Sequence, residues 1–397
     1  MTYYILPSNK LKIHIIPCAG DSYEQVHISH SVNYYNNLIL GQIKKLDQYE
    51  ANSKPTNFNQ VSQFVNPYQF IFSKIPNYKC SISKLHSNSN SLYELIEISY
   101  VCNLFESYKY KSQINIYHIG DTSESISLLQ IFRNTEYSLD HVTSENNITR
   151  VVDSLLLSDV ANLLKYDLLF FNLEYDHNDH TSLSDYCKKI VKILFVILSM
   201  QNINGISVIK VKQLHHKLLI DFLYILNSYF SNICIIKPNC ASVIENSHYI
   251  VCKFFTNESK TREQNLAALR DLFSDSHVTI VNSLLDIQVP YFFLNKIEEF
   301  NVIIGQQQLD GYFQIINILK NKNKEDKFET LKRNNIIKCI QWCEKYNVPC
   351  NKIMEKNNMF NGQKSLKNIF NSKKTSEESD EEYVCENIDL ICMESNY

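Results

Sequence analysis

The stretch "INIYHIGDTSESIS", Ile114–Ser127, passes from an apolar strand pattern through a polar turn into an amphipathic helix pattern. A strand feeding a helix through a tight turn is the unit from which nucleotide-binding α/β sheets are built. In such turns glycines let the backbone close around a cofactor, because they accept angles that other residues resist. Here Gly120 is followed by Asp121, Thr122, Ser123, Glu124 and Ser125, with no further glycine. The strand–turn–helix is legible, and the chemistry of the turn is unusual.

Outward from this stretch the same alternation continues. Apolar runs of strand length occur at "YDLLFFNL" (166–173), "ISVIKV" (206–211), "ICIIKP" (233–238) and "YIVCKFF" (249–255). Helical patterns occur upstream at "LYELIEISYVCNLFESY" (92–108), and between the runs at "SISLLQIF" (125–132), "LSDYCKKIVKILFVILSM" (183–200) and "KLLIDFLYILNSYF" (217–230). Alternation of this kind predicts a mainly parallel sheet of about seven strands with helices on both faces. The last two runs, joined by "KPNCASVIENS", predict an antiparallel hairpin at the sheet edge. Beyond residue 257 the pattern is helical: "NLAALRDLF" (265–273), "LDGYFQIINILKN" (309–321) and "NNIIKCIQWCEKYNV" (334–348). "GQQQLDGYF" (305–313) reads as a glutamine-rich helix start. The expected divisions are an irregular extension over 1–60 with one helix at 34–50, an α/β domain over 61–257, a helical appendage over 258–360 and a tail over 361–397.

The tail carries eight acids between Ser376 and Glu394 and no lysine or arginine there, so disorder is expected. Net charge is −3, and setting those eight acids aside leaves the body near +5, mildly basic. With 44 % apolar residues the body has the means to bury a large core. Twelve cysteines occur without a CxxC; Cys339, Cys343 and Cys350 match no common zinc spacing and read as core thiols of a reducing compartment. The N-terminus shows no cleavable apolar segment, and "ILFVILSM" (193–200) is too short to span a bilayer, so an intracellular, cytoplasmic protein without a membrane partner is expected. Asp176, His177, Asp179 and His180 crowd one polar loop, but no third distant ligand accompanies them and no metal is assigned. His215 and His216 open a helix and read as its solvated start.

Residues Asn204–Phe255 resemble the FtsJ-like ribose 2′-O-methyltransferases, in particular the cap-methylating branch and its relatives in large DNA viruses. That branch has a Val-x-Lys strand, a helix, a strand ending in Lys-Pro, a Thr-Ser-Arg loop and a second Val-x-Lys strand. "VNPYQFIFSKIPNYKCSISKLHSNSNSLYELIEI" (65–98) is similar to the branch's lead-in, and "NNIIKCIQWCEKYNVPCN" (334–351) to its C-terminal helix. The resemblance covers roughly residues 60–355. It implies a Rossmann-like S-adenosylmethionine-dependent methyltransferase fold, a mainly parallel seven-stranded sheet with a helical C-terminal appendage.

The resemblance also implies a Lys-Asp-Lys-Glu tetrad around a ribose hydroxyl. Its four positions fall on Glu94, Asn172, Lys210 and Ser247, so only Lys210 keeps its chemistry. The cofactor turn after Gly120 falls on Asp121, Thr122, Ser123, Glu124 and Ser125, where Glu124 would face the cofactor's carboxylate. The loop arginine falls on Ser242. S-adenosylmethionine is the implied cofactor, and this turn argues against its binding. The expectation is an inactive homologue retained as an RNA- or protein-binding module, with no DNA-specific motif. A divergent active RNA 2′-O-methyltransferase using Lys210, and a structural component of a viral or other large assembly, are the alternatives.

Overall fold

The computed structural model describes residues 2–351, apart from 9–10, 21–25, 51–57, 79, 86, 88, 134–139, 159–162, 173–182, 257–258, 275–279 and 321–324. In chain order the elements begin with β1 (Thr2–Ile5), β2 (Cys18–Ala19), α1 (His30–Glu50), α2 (Phe58–Val65) and α3 (Ser91–Val101). The central units follow: β3 (Asn115–Ile119), α4 (Thr122–Phe132), β4 (His141–Glu145), α5 (Ile148–Leu157), β5 (Tyr166–Phe171), α6 (Leu183–Met200) and β6 (Gln201–Val211). Then come α7 (Lys217–Tyr229), β7 (Phe230–Lys237), β8 (His248–Phe255), α8 (Ser259–Ser274), β9 (Val281–Ser283), α9 (Tyr291–Lys320) and α10 (Glu325–Lys345).

Seven strands form one sheet in the order β1-β7-β8-β6-β5-β3-β4. The pairs β3–β4, β3–β5 and β5–β6 are parallel, while β8 is antiparallel to both β6 and β7. The hairpin therefore folds back so that β8 enters between β6 and β7. This strand, reversed inside the parallel, helix-flanked set β4-β3-β5-β6-β7, gives the Rossmann-like methyltransferase arrangement, to which β1 adds a second reversed strand at the edge. The hairpin is not at the outer edge. Residues 2–5, read from the sequence as irregular, pair antiparallel with β7 and form that edge themselves.

Alternation decides what each face buries. Tyr117, Ile119, Leu169, Phe171, Ile209, Ile235 and Ile250 share a core with α5, α6, α7 and the first half of α9. The opposite face carries His118, Phe170, Lys210 and Tyr249 and lies under α3 and α4. Helix α6 is buried along nearly its whole length from Ile190 to Met200, which explains why its sequence is apolar all round. No helix among the described residues is long and apolar enough to cross a membrane.

The C-terminal helices pack on this sheet. Helix α9 runs for 30 residues, so "GQQQLDGYF" lies in its middle and is not a helix start. A Cβ on Gly305 would come within 2.0 Å of Val32 Cγ1, so glycine there lets α1 cross α9 closely. Gln308, beside it, is buried and bonded to Asn36, Tyr312 and the Ile244 carbonyl. The acidic tail expected to be disordered lies outside the described residues.

Candidate functional site

The carboxyl ends of β3, β5, β6 and β7 share one edge of the sheet, where ligands of open α/β sheets sit. Register places the side chains there. Phe171 pairs with Ile209, so Asn172 follows level with Lys210, and Lys210 lies opposite Tyr249. Helix α3 crosses this face and is buried from Ser91 to Ser99, including its two glutamates. A helix that lowers carboxylates onto a sheet must bring donors to them.

Glu94 receives three. Lys210 Nζ lies 2.9 Å from its carboxylate, the Tyr249 hydroxyl donates at 2.5 Å, and Asn90 Nδ2 donates at 3.0 Å. Lys210 also donates to Ser91 Oγ at 3.3 Å and sits over the Tyr249 ring, 5.5 Å from its centroid. Burial works against the ammonium charge, but the Glu94 carboxylate outweighs it and holds Lys210 above its ordinary value. Burial, and then the adjacent Glu94, push the Tyr249 phenol well up. Lys210 is thus a paired, fully charged cation and no proton acceptor at neutral pH.

The turn after β3 is closed differently. Gly120 has φ +142°, and a Cβ there would meet His118 Nε2 at 3.0 Å and the Asn172 carbonyl at 3.1 Å. Asp121 caps α4 by accepting from the Ser123 N–H at 2.9 Å. Ser123 is exposed, whereas Glu124 is 1 % exposed and turned inward. It accepts from Ser89 Oγ at 2.6 Å and from Asn172 Nδ2 at 3.2 Å, and lies 3.6 Å from His118 Nε2. Ser125 Oγ meets His118 Nδ1 at 2.6 Å. Burial raises Glu124 to about 7, although its hydrogen bonds and Lys210 pull the other way; burial lowers His118 to about 4. The turn positions of Glu124 and Ser125 are filled by the protein's own polar groups. Glu124 does not stand out toward a ligand, as the sequence suggested; it is committed to Ser89 and Asn172.

Of the four tetrad positions, Glu94 and Lys210 touch, Asn172 bonds to Glu124, which reaches the pair only by way of Ser89 and Ser91, and buried Ser247 leads into β8 without entering these bonds. Tyr249, two residues on, makes the contact with Glu94. Tyr249, Asn90, Ser89 and Ser91 were missed from the sequence. Only Asn90 carried a local signal, a donor four residues before Glu94 on one helix face.

Glu97, fully buried, was missed as well. Its Oε1 accepts from Asn239 N–H at 2.9 Å, and its Oε2 from Cys240 N–H at 3.2 Å and Trp342 Nε1 at 3.0 Å. One carboxylate on α3 thereby ties down the β7–β8 loop, which contains Ser242, and helix α10. His215 is buried and not part of a solvated helix start; burial lowers it to about 4. Cys339 and Cys343 are buried free thiols. Among the described residues no group of three or more His, Cys, Asp or Glu side chains could hold a metal ion. The Asp176–His180 loop lies outside the described residues.

No protein family and no curated protein matches the chain in sequence. Among solved structures it is similar to a protein assigned as a ribosomal RNA methyltransferase from Plasmodium falciparum, with 15% identity, TM-score 0.30, and 43% of this chain and 98% of that one covered. It is also similar to human methyltransferase-like protein 13 in complex with SAH, with 12% identity, TM-score 0.31, and coverage of 45% and 92%. Neither overlap is close enough to carry a function across; the fold assignment rests on this chain's own strand order and register.

Proposed function

We propose that this methyltransferase-fold protein transfers no methyl group and serves as a binding module for an RNA or protein partner. The Glu94–Lys210 ion pair at 2.9 Å supports this reading most directly. A lysine that is to orient or deprotonate a ribose hydroxyl needs a free donor or lone pair at the reacting oxygen. Lys210 spends its charge on Glu94 and its ring-side face on Tyr249. Glu124 lends the same support from the other half of the site. A carboxyl group buried over the ends of β3 and β5, against Asn172 and His118, takes space that a methionine carboxylate needs.

Calorimetric titration with S-adenosylmethionine and with S-adenosylhomocysteine, and methyl-transfer assays on capped and uncapped RNA, test the reading together. No heat of binding and no transfer are expected. Transfer by the native chain that disappears in Lys210→Ala overturns it in favour of a divergent enzyme. RNA affinity measured across salt concentrations then identifies the partner class: a steep fall with salt marks phosphate contacts. No RNA binding at any salt points to a protein partner or a place in an assembly.

A further inference from the structure

We propose that Cys102 and Cys234 form an oxidisable dithiol, a modification site that peroxide converts to a disulfide linking α3 to the sheet. Cys102 caps the C-terminus of α3, and Cys234 lies in the middle of β7. Their sulfurs are 4.0 Å apart although the residues are 132 positions apart in sequence. A disulfide needs about 2.05 Å between sulfurs, so the two must approach by about 2 Å.

Three features set this pair apart from the other buried thiols. Its position on the sheet excludes a competing neighbour: Cys252 on β8 pairs with Ile233, so it faces the opposite side. A cation then stands beside the pair. The hydrogen bond between the two thiols and the nearby Lys253 ammonium favour a thiolate, which burial opposes. Lys253 is held in place by a 2.7 Å bond to the Cys102 carbonyl. Finally, an exposed side chain covers the pair. Cys102 is 7 % exposed, and Tyr3, on the short edge strand and 42 % exposed, lies beside Cys234.

One thiolate of the pair attacks one oxygen of hydrogen peroxide, the O–O bond breaks, and the leaving hydroxide takes a proton to become water. The second thiol then attacks the resulting sulfenic sulfur, the S–O bond breaks and a second water leaves. Peroxide is reduced to two waters as the two thiols lose two electrons and two protons. The product fixes the end of the helix that carries Glu94 and Glu97 against β7, and so locks both the ion pair and the β7–β8 loop anchor.

The full chain, treated with hydrogen peroxide under native conditions, is alkylated and mapped by peptide mass spectrometry. A Cys102–Cys234 peptide 2 Da below the sum of its thiol forms is expected, reversed by dithiothreitol. It should be absent from Cys102→Ser and from Cys234→Ser, and thermal unfolding should shift upward by a few degrees. Exposed Cys18 serves as the control for oxidant dose. Oxidation of Cys18 with Cys102 and Cys234 still alkylated overturns the proposal. So does overoxidation of Cys102 without a link, or a link from either residue to a different cysteine. The wild-type map decides the question even if a serine variant fails to fold.

Discussion

Two buried carboxylates stand a short distance apart at the same edge of the sheet, and they behave in opposite ways. Glu94 is 3 % exposed and Glu124 is 1 % exposed, so burial alone cannot separate them. Glu94 has an ammonium at 2.9 Å, a phenol and an amide. Glu124 has a hydroxyl, an amide and a neutral imidazole, and burial lifts it to about 7. The cation makes the difference. Glu94 holds the Lys210 ammonium in direct contact, whereas Glu124 has only dipoles in contact and Lys210 farther off, so burial prevails and makes it a titrating group near neutrality.

The largest effect should come from breaking the charged half. Glu94→Ala leaves the partly buried Lys210 without its counter-charge and strips Tyr249 and Asn90 of an acceptor. Loss of one partner of a buried pair costs about 3–5 kcal/mol. Urea unfolding should show a loss of that size, and a loss below about 1 kcal/mol would mean that the pair is solvated. A Glu94→Gln/Lys210→Met double variant should recover part of it, because the unpaired charge is gone.

The neutral half should respond to pH instead. Glu124 at about 7 in the folded chain, against 4.5 for the free group, takes up its proton between those values on folding. Its contribution to stability is therefore present below about 4.5 and is lost as pH rises through 7. His118 and His215 near 4, and His248 near 3, have the reverse sign; their stabilisation is present above 6.5 and is lost as pH falls. The native protein sums both slopes. Glu124→Gln removes one of them, so the difference between native and variant should change by on the order of 3 kcal/mol from pH 4.5 to 8. Parallel profiles for the native chain and Glu124→Gln would show that Glu124 does not titrate across this range.

Gly120→Ala tests whether the turn is closed by geometry as well as charge. The substitution puts a Cβ at φ +142° and against His118 and the Asn172 carbonyl, which should cost about 2 kcal/mol. A neutral result would show that the turn has room to open.

Much of this architecture is legible in the apolar rhythm. Strands β3 and β5 to β8 and helices α6 and α7 are long or uninterrupted enough for period alone to mark them. The two edges are not. β4, "HVTSE", is half-exposed with one strong apolar residue, and β1 is four residues stabilised by pairing with a strand more than 200 positions away. Helix α9 shows only its second half, because Lys296, Glu298 and Glu299 interrupt the apolar pattern of the first. In the site, Glu94, Asn172, Lys210 and Glu124 came from the family resemblance. Tyr249 and Trp342 did not, since their bonds to Glu94 and Glu97 span 155 and 245 positions and leave no local trace.

Glu97 extends the comparison to a third arrangement, and its test has the smallest expected effect. Among the described residues no cation bonds to this carboxylate; three N–H donors do, two from the β7–β8 loop backbone and one from Trp342. Removing a backbone donor takes a proline, which also fixes φ in the loop, so the indole is the donor that can be deleted cleanly. Trp342→Phe keeps the aromatic packing against Tyr93 and Tyr346 and deletes a single donor. A hydrogen bond to a charged group contributes about 1.5–3 kcal/mol, but two donors remain on Glu97, so about 1 kcal/mol should be lost. That is well below the Glu94→Ala effect, where a whole charge is stranded. Because Trp342 is the chain's one tryptophan, the variant loses its fluorescence signal, and circular dichroism must follow its unfolding. A loss as large as that of Glu94→Ala would show that Glu97 depends on the indole as Glu94 depends on its lysine, and the two loop anchors would then count for little.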